Sequence, residues 1–382
     1  VNRGTFVLDV LSGADKSPGA VLLRGALTPL SWLHQLGLEV YLAPFRTGIR
    51  RRYELPVPVI AIGNLSSGGA GKTPMTALIA ERIRDSGKRV AVISRGHGGS
   101  GESGKTPRVV SDGAEILLSP AEAGDEPVLL AKLLPGVPVV VGRDRRRSGS
   151  LAVERFAPEV ILCDDALQYW QLARNLNIIL LDARRPFDNG HVLPRGLLRE
   201  PPSHLSRAGI IALTRADRAT PEELERSLSL IARYAPQTPT FTARHAPTNW
   251  IRLGGNPAEN VDNNIAPLEA LRGASAFAFS GIADGEAFLQ VLRDQEVSVV
   301  GERTFGDHFA YTAEDVQSLA RQAESASVVI TTEKDAVKAA PLWPVGGKPL
   351  YALRIRMKMD DEAGFFQAID NIMSIADGRY AF

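Results

Sequence analysis

From Pro56 onward, short apolar runs rich in β-branched residues alternate with stretches of helical periodicity. The runs are 56–64 (PVPVIAIGN), 89–96 (RVAVISRG), 137–144 (VPVVVGRD), 159–165 (EVILCDD), 177–184 (NIILLDAR) and 209–217 (GIIALTRAD). Segments such as PMTALIAERIRDSG and EPVLLAKLLPG lie between them. Apolar runs without polar alternation belong to strands covered on both faces, so the pattern predicts a parallel sheet flanked by helices. This is a doubly wound α/β domain, in which ligands bind beyond the carboxyl ends of the strands.

A helix over 221–235 closes this series, and the next segment, with strand-like TFTAR and WIRL around polar turns, reads as a connection. A second α/β series follows at 274–284, 297–308, 327–336 and 349–357. The boundary falls near residue 237. The expected units are thus an N-terminal helical segment (1–52), a nucleotide-binding α/β domain (53–236), and a linker with a smaller α/β domain (237–382). No internal repeat is visible, and the Gly/Ser-rich stretch 96–105 reads as a mobile surface loop.

Residues 20–45 are the most apolar stretch, and Leu30, Leu33, Leu36 and Val40 recur at helical spacing. The longest part free of Arg, Lys, Asp and Glu runs only from Gly25 to Leu38, short of the roughly 20 residues a membrane span needs. Trp32 and Tyr41 suit an interface, and Arg46, Arg50, Arg51 and Arg52 follow. Two readings stay open: an amphipathic helix on an anionic membrane, or a helix packed on the protein's own core.

Composition narrows the classes. With 44% hydrophobic and 23% charged residues among 382, the chain can bury two cores. Lys plus Arg is 44 against 43 for Asp plus Glu, a net charge of +1 that argues against a nucleic-acid coat. The single cysteine, Cys163, excludes an intrachain disulfide framework or a Cys-built zinc site and suits a reducing, cytoplasmic compartment. No secretory signal is evident in the first residues.

The strongest chemical signal is the apolar strand ending at Asn64, the loop Ser66-Ser67-Gly68-Gly69-Ala70-Gly71, and then Lys72-Thr73 opening an amphipathic helix. Glycines let backbone N–H groups converge on phosphate oxygens, and the helix start adds positive potential. Lys72 would reach the β- and γ-phosphates and the Thr73 hydroxyl would ligate Mg²⁺. The strict P-loop pattern asks for Gly where Ser66 stands, but the strand–loop–helix context is present. A metal partner is expected at a nearby strand end, where Asp164 and Asp165 close the run EVILCDD; capping of the next helix is the alternative. TRAD (214–217) is similar to the guanine-reading element of GTPases but has Arg215 for Lys, so a strand-end cap explains Asp217 more simply. On these parts alone, a P-loop GTPase or metallochaperone-type switch remains the runner-up reading.

The ordered segments GNLSSGGAGKTP, SRGHGG, AGDEPVLLA, CDDALQYWQLARN, NGHVLPRGLLREPPSHL, AFSGIAD, TFGDHFAYT and TTEKDAVK resemble the tetraacyldisaccharide 4′-kinase (lipid A 4′-kinase) family of Gram-negative bacteria. The resemblance implies transfer of the ATP γ-phosphate to the 4′-hydroxyl of an acylated glucosamine disaccharide 1-phosphate, with Mg²⁺. It implies a peripheral location on the cytoplasmic face of the inner membrane, with no obligate protein partner. It makes Asp125 the general base and His308 the residue that orients it across the cleft between domains. Gln168 and Arg199 would line the nucleotide region, Glu200 would help hold Mg²⁺, and Arg145 would meet the substrate's 1-phosphate. The chain departs from the family pattern at His97, where Tyr is usual and an imidazole can stack on adenine, and at Tyr169, Arg195, Leu197 and Phe309.

Overall fold

The computed structural model describes residues 10–13, 15–104, 106–253 and 264–377. Most of the polar connection expected after Leu253 lies outside these residues. The chain opens with helix α1 (Pro18–Arg46), started by Pro18 at its first position and by the Ser17 hydroxyl, which accepts from the Ala20 amide. It continues through β1 (Val59–Asn64), α2 (Lys72–Asp85), β2 (Val90–Ser94), β3 (Arg108–Ser111), α3 (Asp125–Leu133), β4 (Val139–Val141), α4 (Arg145–Phe156), β5 (Val160–Asp164), β6 (Leu176–Asp182) and β7 (Ile210–Thr214). Helix α5 (Pro221–Ala232) leads to β8 (Thr240–Leu253), β9 (Ile265–Ala266) and β10 (Ser275–Ser280). Then follow α6 (Gly285–Asp294), β11 (Ser298–Thr304), α7 (Ala313–Gln322), β12 (Val328–Thr332), α8 (Glu333–Ala339), β13 (Leu350–Met359) and α9 (Glu362–Asp377).

The strands run β11-β10-β12-β13-β8-β7-β6-β1-β5-β2-β4-β3, with β9 beside β8. Every residue of β1, β2, β5 and β7 is buried, as expected for central strands covered by helices on both faces. Strand β1 pairs in parallel with β5 on one side and β6 on the other, while the chain leaves it through α2 toward β2. Its carboxyl end is therefore a topological switch point, where a crevice opens above the sheet.

The expected connection between domains takes a different form. TFTAR and WIRL are the two ends of one strand, β8, which pairs in parallel with β7 through Thr240–Thr242 and antiparallel with β13 over Ala243–Leu253. The intervening HAPTN lacks a strand-like apolar pattern; its pairing with β13, distant in sequence, makes it a strand. The β8/β13 ribbon joins the two halves into one continuous sheet.

Helix α1 meets the body near its C-terminal end, where Leu42 and Phe45 pack with Trp170. Midway, the Ser31 hydroxyl donates to the Val192 carbonyl at 2.7 Å. Leu22, Leu30, Trp32, Leu33, Leu36 and Val40 are exposed, so beyond that small cluster much of the helix's apolar surface is left uncovered. Among the described residues, no helix is long and apolar enough to cross a membrane. Within 96–104, Glu102 accepts from the Gly98 amide and pairs with Arg95.

Candidate active site

The turn after β1 builds a phosphate-sized cradle. Gly71 takes φ +84°, a conformation that favours glycine, and begins α2. Lys72 Nζ donates to Asn64 Oδ1 at 3.2 Å and lies 3.7 Å from Asp165 Oδ1. Gly68 through Thr73 line a cavity of about 750 Å³ that reaches across to the second half of the molecule. Ser66 and Ser67 are not among its lining: Ser66 is bridged to Leu198, and the Ser67 amide donates to the Leu197 carbonyl at 2.7 Å. This part of the loop is held by the 197–198 segment.

The two aspartates after β5 differ in environment. Asp164 is buried; its Oδ1 accepts from Thr76 Oγ1 at 2.9 Å, while its Oδ2 has no partner. Burial, then the charges of Glu126 and Asp165, push its pKa up to about 7. Asp165, at φ +45°, turns toward the cavity and accepts from Arg199 at 3.1 and 3.2 Å. Burial opposes its ionisation, yet Lys72 and Arg199 outweigh burial and lower its pKa. An unpartnered buried carboxylate oxygen, on an aspartate bonded to Thr76 of α2, suits a hard divalent cation that takes its remaining ligands from phosphate and water.

Around this centre, Gln168 Nε2 donates to the Asn64 carbonyl at 3.0 Å, and Arg145 donates to the Asp165 carbonyl at 3.4 Å. Arg145 is buried, lies over the Tyr169 ring at 5.4 Å and leaves its Nε without a partner. Glu200 is elsewhere. It is 1% exposed and stands outside the cavity, its carboxylate taken by Arg207 at 2.6 and 2.7 Å and by His204 at 2.7 Å. Glu200, expected beside the metal, is thus placed among Arg207 and His204.

Opposite the loop, α3 and the segment after β11 meet. Asp125 is the first residue of α3, behind the cap Gly124, and is 6% exposed. His308 Nδ1 lies 3.2 Å from both of its carboxylate oxygens, and Lys338 Nζ lies 3.2 Å from Oδ2. Although burial opposes it, His308, Lys334 and Lys338 hold the Asp125 carboxyl well below the usual carboxylate range. The hydrogen bond to Asp125 raises the His308 pKa above 6.5, against burial and Lys334. Lys334 Nζ stands 3.2 Å from His308 Nε2, so Nε2 accepts and Nδ1–H faces Asp125. His308 lines the cavity and Asp125 does not. The Asp125 carboxylate thus lies behind the ring, in contact with His308 and Lys338, and the imidazole edges the cavity.

Known proteins match along the whole length. The family model for "Tetraacyldisaccharide-1-P 4′-kinase" matches residues 23–374. The chain belongs to this family. It is 39% identical to tetraacyldisaccharide 4′-kinase of Pelobacter propionicus over 97% of this chain and 98% of that one. It is 42% identical to tetraacyldisaccharide 4′-kinase of Geobacter metallireducens over 92% and 99%. Among solved structures it superposes with a TM-score of 0.72 on LpxK from Aquifex aeolicus in complex with ATP, at 32% identity, covering 92% of this chain and 99% of that one. This kinase accordingly uses ATP, with Mg²⁺ as the usual partner ion, to phosphorylate tetraacyldisaccharide 1-phosphate at the 4′ position. The GTPase reading falls away.

Within this tetraacyldisaccharide 4′-kinase, His97 sits edge-on to His308, with ring centroids 5.7 Å apart and planes at 88°. Its place is beside the Asp125–His308 pair, in the lining of the same cavity. Asp217, expected as a strand-end cap, lines the cavity. Lys334, Lys338, Arg215 and His245 were missed by sequence reasoning. The i, i+4 spacing of Lys334 and Lys338 in TTEKDAVK was the available signal, since it puts both on one helical face.

Proposed function

We propose that the transfer takes place between the Gly68–Thr73 loop and His308, with the protein seated on an anionic membrane through α1. The observation that carries this reading is the contact of His308 with Asp125 across the cavity from a P-loop. A sugar hydroxyl is a weak nucleophile, so the rate depends on position and on neutralised charge. The loop amides and Lys72 hold the triphosphate tail, and Arg199 adds positive charge at its end. Thr73 and Asp164 would hold Mg²⁺, which would supply neutralising positive charge to the phosphates. His308 Nε2 takes the 4′-hydroxyl proton, and Asp125 fixes the ring's tautomer and stabilises the imidazolium that forms. Lys334 must leave Nε2 as the hydroxyl arrives. Arg145, buried with an unpartnered Nε, is positioned to meet an anionic group of the acceptor.

The exposed apolar face of α1 and the run Arg50-Arg51-Arg52 support seating on the inner-membrane surface, where the acylated acceptor resides. The test is transfer of label from γ-labelled ATP to tetraacyldisaccharide 1-phosphate in detergent micelles. His308→Ala and Asp125→Ala are each expected to lower kcat by about 10²–10⁴ fold with little change in ATP affinity. Wild-type turnover in either variant removes the pair from the mechanism.

A further inference from the structure

When the amides of a loop converge on an anion, its carbonyls must point elsewhere and find donors of their own. In the Gly68–Gly71 turn, the Gly68 carbonyl accepts from the Ala70 amide at 3.1 Å and from Asn64 Nδ2 at 3.4 Å. The Gly71 carbonyl accepts from the Met75 amide as the first turn of α2. The Gly69 carbonyl has a partner from outside the loop: Arg215, 146 positions away, donates to it at 2.7 Å.

Arg215 belongs to TRAD, the segment after β7 that base recognition does not explain. Its backbone is at φ +58°, an uncommon conformation for a side-chain-bearing residue. From there its other guanidinium nitrogen donates to Asp182 Oδ2, at the end of β6, at 2.7 Å. Asp182 is itself fixed by Arg184, through the side chain at 2.9 Å and the amide at 3.0 Å. A planar guanidinium reaches two acceptors in a fixed fork, which an ammonium cannot reproduce. The ends of β6 and β7 are thus connected to the top of the phosphate loop through one side chain.

We propose that Arg215 is a positioning residue whose guanidinium, braced by Asp182, anchors the Gly69 carbonyl and so fixes the conformation of the Gly68–Gly71 turn that seats the nucleotide phosphates. It acts through the loop rather than on the transferred group, so it governs ATP binding and leaves the acceptor and the proton-accepting pair untouched. The assignment rests on the loop being the seat of the triphosphate, which Lys72→Ala tests separately: undiminished ATP use in that variant defeats the nucleotide reading itself.

Steady-state kinetics with ATP and tetraacyldisaccharide 1-phosphate in micelles, on Arg215→Ala, Asp182→Asn and the double variant, test the strut. Arg215→Ala raises KM for ATP by about tenfold or more, the effect of losing a charge-assisted hydrogen bond. Both kcat and KM for the acceptor stay within about threefold, and the double variant is no worse than Arg215→Ala by more than about twofold. An unchanged KM for ATP, a rise confined to the acceptor's KM, or a double variant equal to the product of the singles overturns the proposal. If Arg215→Ala does not fold, Arg215→Lys serves the same test: it keeps the charge and loses the fork. Wild-type KM for ATP in the lysine variant overturns the proposal equally.

Discussion

His308 Nδ1 stands 3.2 Å from each carboxylate oxygen of Asp125, a residue 183 positions earlier in the chain and on the other half of the sheet. The contact exists because β8 and β13 run through both halves and set α3 against α8 and the segment after β11. A buried carboxylate behind a partly exposed imidazole is an arrangement that fixes a tautomer and supports a cation once the ring takes a proton.

The pH dependence follows from this. His308 must be neutral to accept a proton, and its pKa is raised above 6.5, first by the hydrogen bond to Asp125. The acidic limb of kcat/KM therefore lies above pH 6.5, and activity falls as the pH drops through it. Asp307 and Lys334 also face the ring, with opposing effects. Asp125→Asn removes the main raising contact and moves the limb to lower pH. A wild-type limb well below pH 6.5, at or under the usual carboxylate range, assigns the proton to Asp125 instead.

Gly71 is a second sensitive point. A Cβ there would lie 2.6 Å from His245 Nε2 and 2.8 Å from Met357 Cε, at a backbone φ of +84°. Gly71→Ala is expected to destabilise the fold by about 1–3 kcal/mol and to raise KM for ATP. Thermal denaturation and initial rates check the two effects.

Membrane seating is separable from folding. Leu33 and Leu36 are 65% and 61% exposed, so aspartate at either leaves the melting temperature near that of wild type. The same changes weaken sedimentation with phosphatidylglycerol vesicles by about tenfold or more for each leucine, on the scale of burying such a side chain. Unaltered vesicle binding would remove α1 as the seat.

Metal dependence provides another test. Chelation by EDTA abolishes transfer, and Asp164→Asn raises the Mg²⁺ concentration for half-maximal rate by about tenfold or more. An Mg²⁺ titration that superposes on wild type assigns the ion to other oxygens.

The first half of the sheet was legible because its strands are apolar throughout and buried on both faces, as at Val59–Asn64 and Ile210–Thr214. Strand β8 was not, since its middle is held by β13 rather than by its own pattern. Asp125 and His308 came from motif resemblance, but which of them faces the cavity depends on tertiary contacts with Lys334 and Lys338. The partners of Glu200 were not legible in LREP, since Arg207 and His204, which bond its carboxylate, are brought in by a turn of 3₁₀ helix at Pro202–Arg207.

The central claim is that Asp125 and His308 act as one unit, and a double-mutant cycle on kcat/KM tests it most directly. Each alanine variant is expected to lose about 10²–10⁴ fold, and the double variant to lose no more than about a fewfold beyond the worse single. Losses that multiply would contradict it, showing two residues that contribute independently.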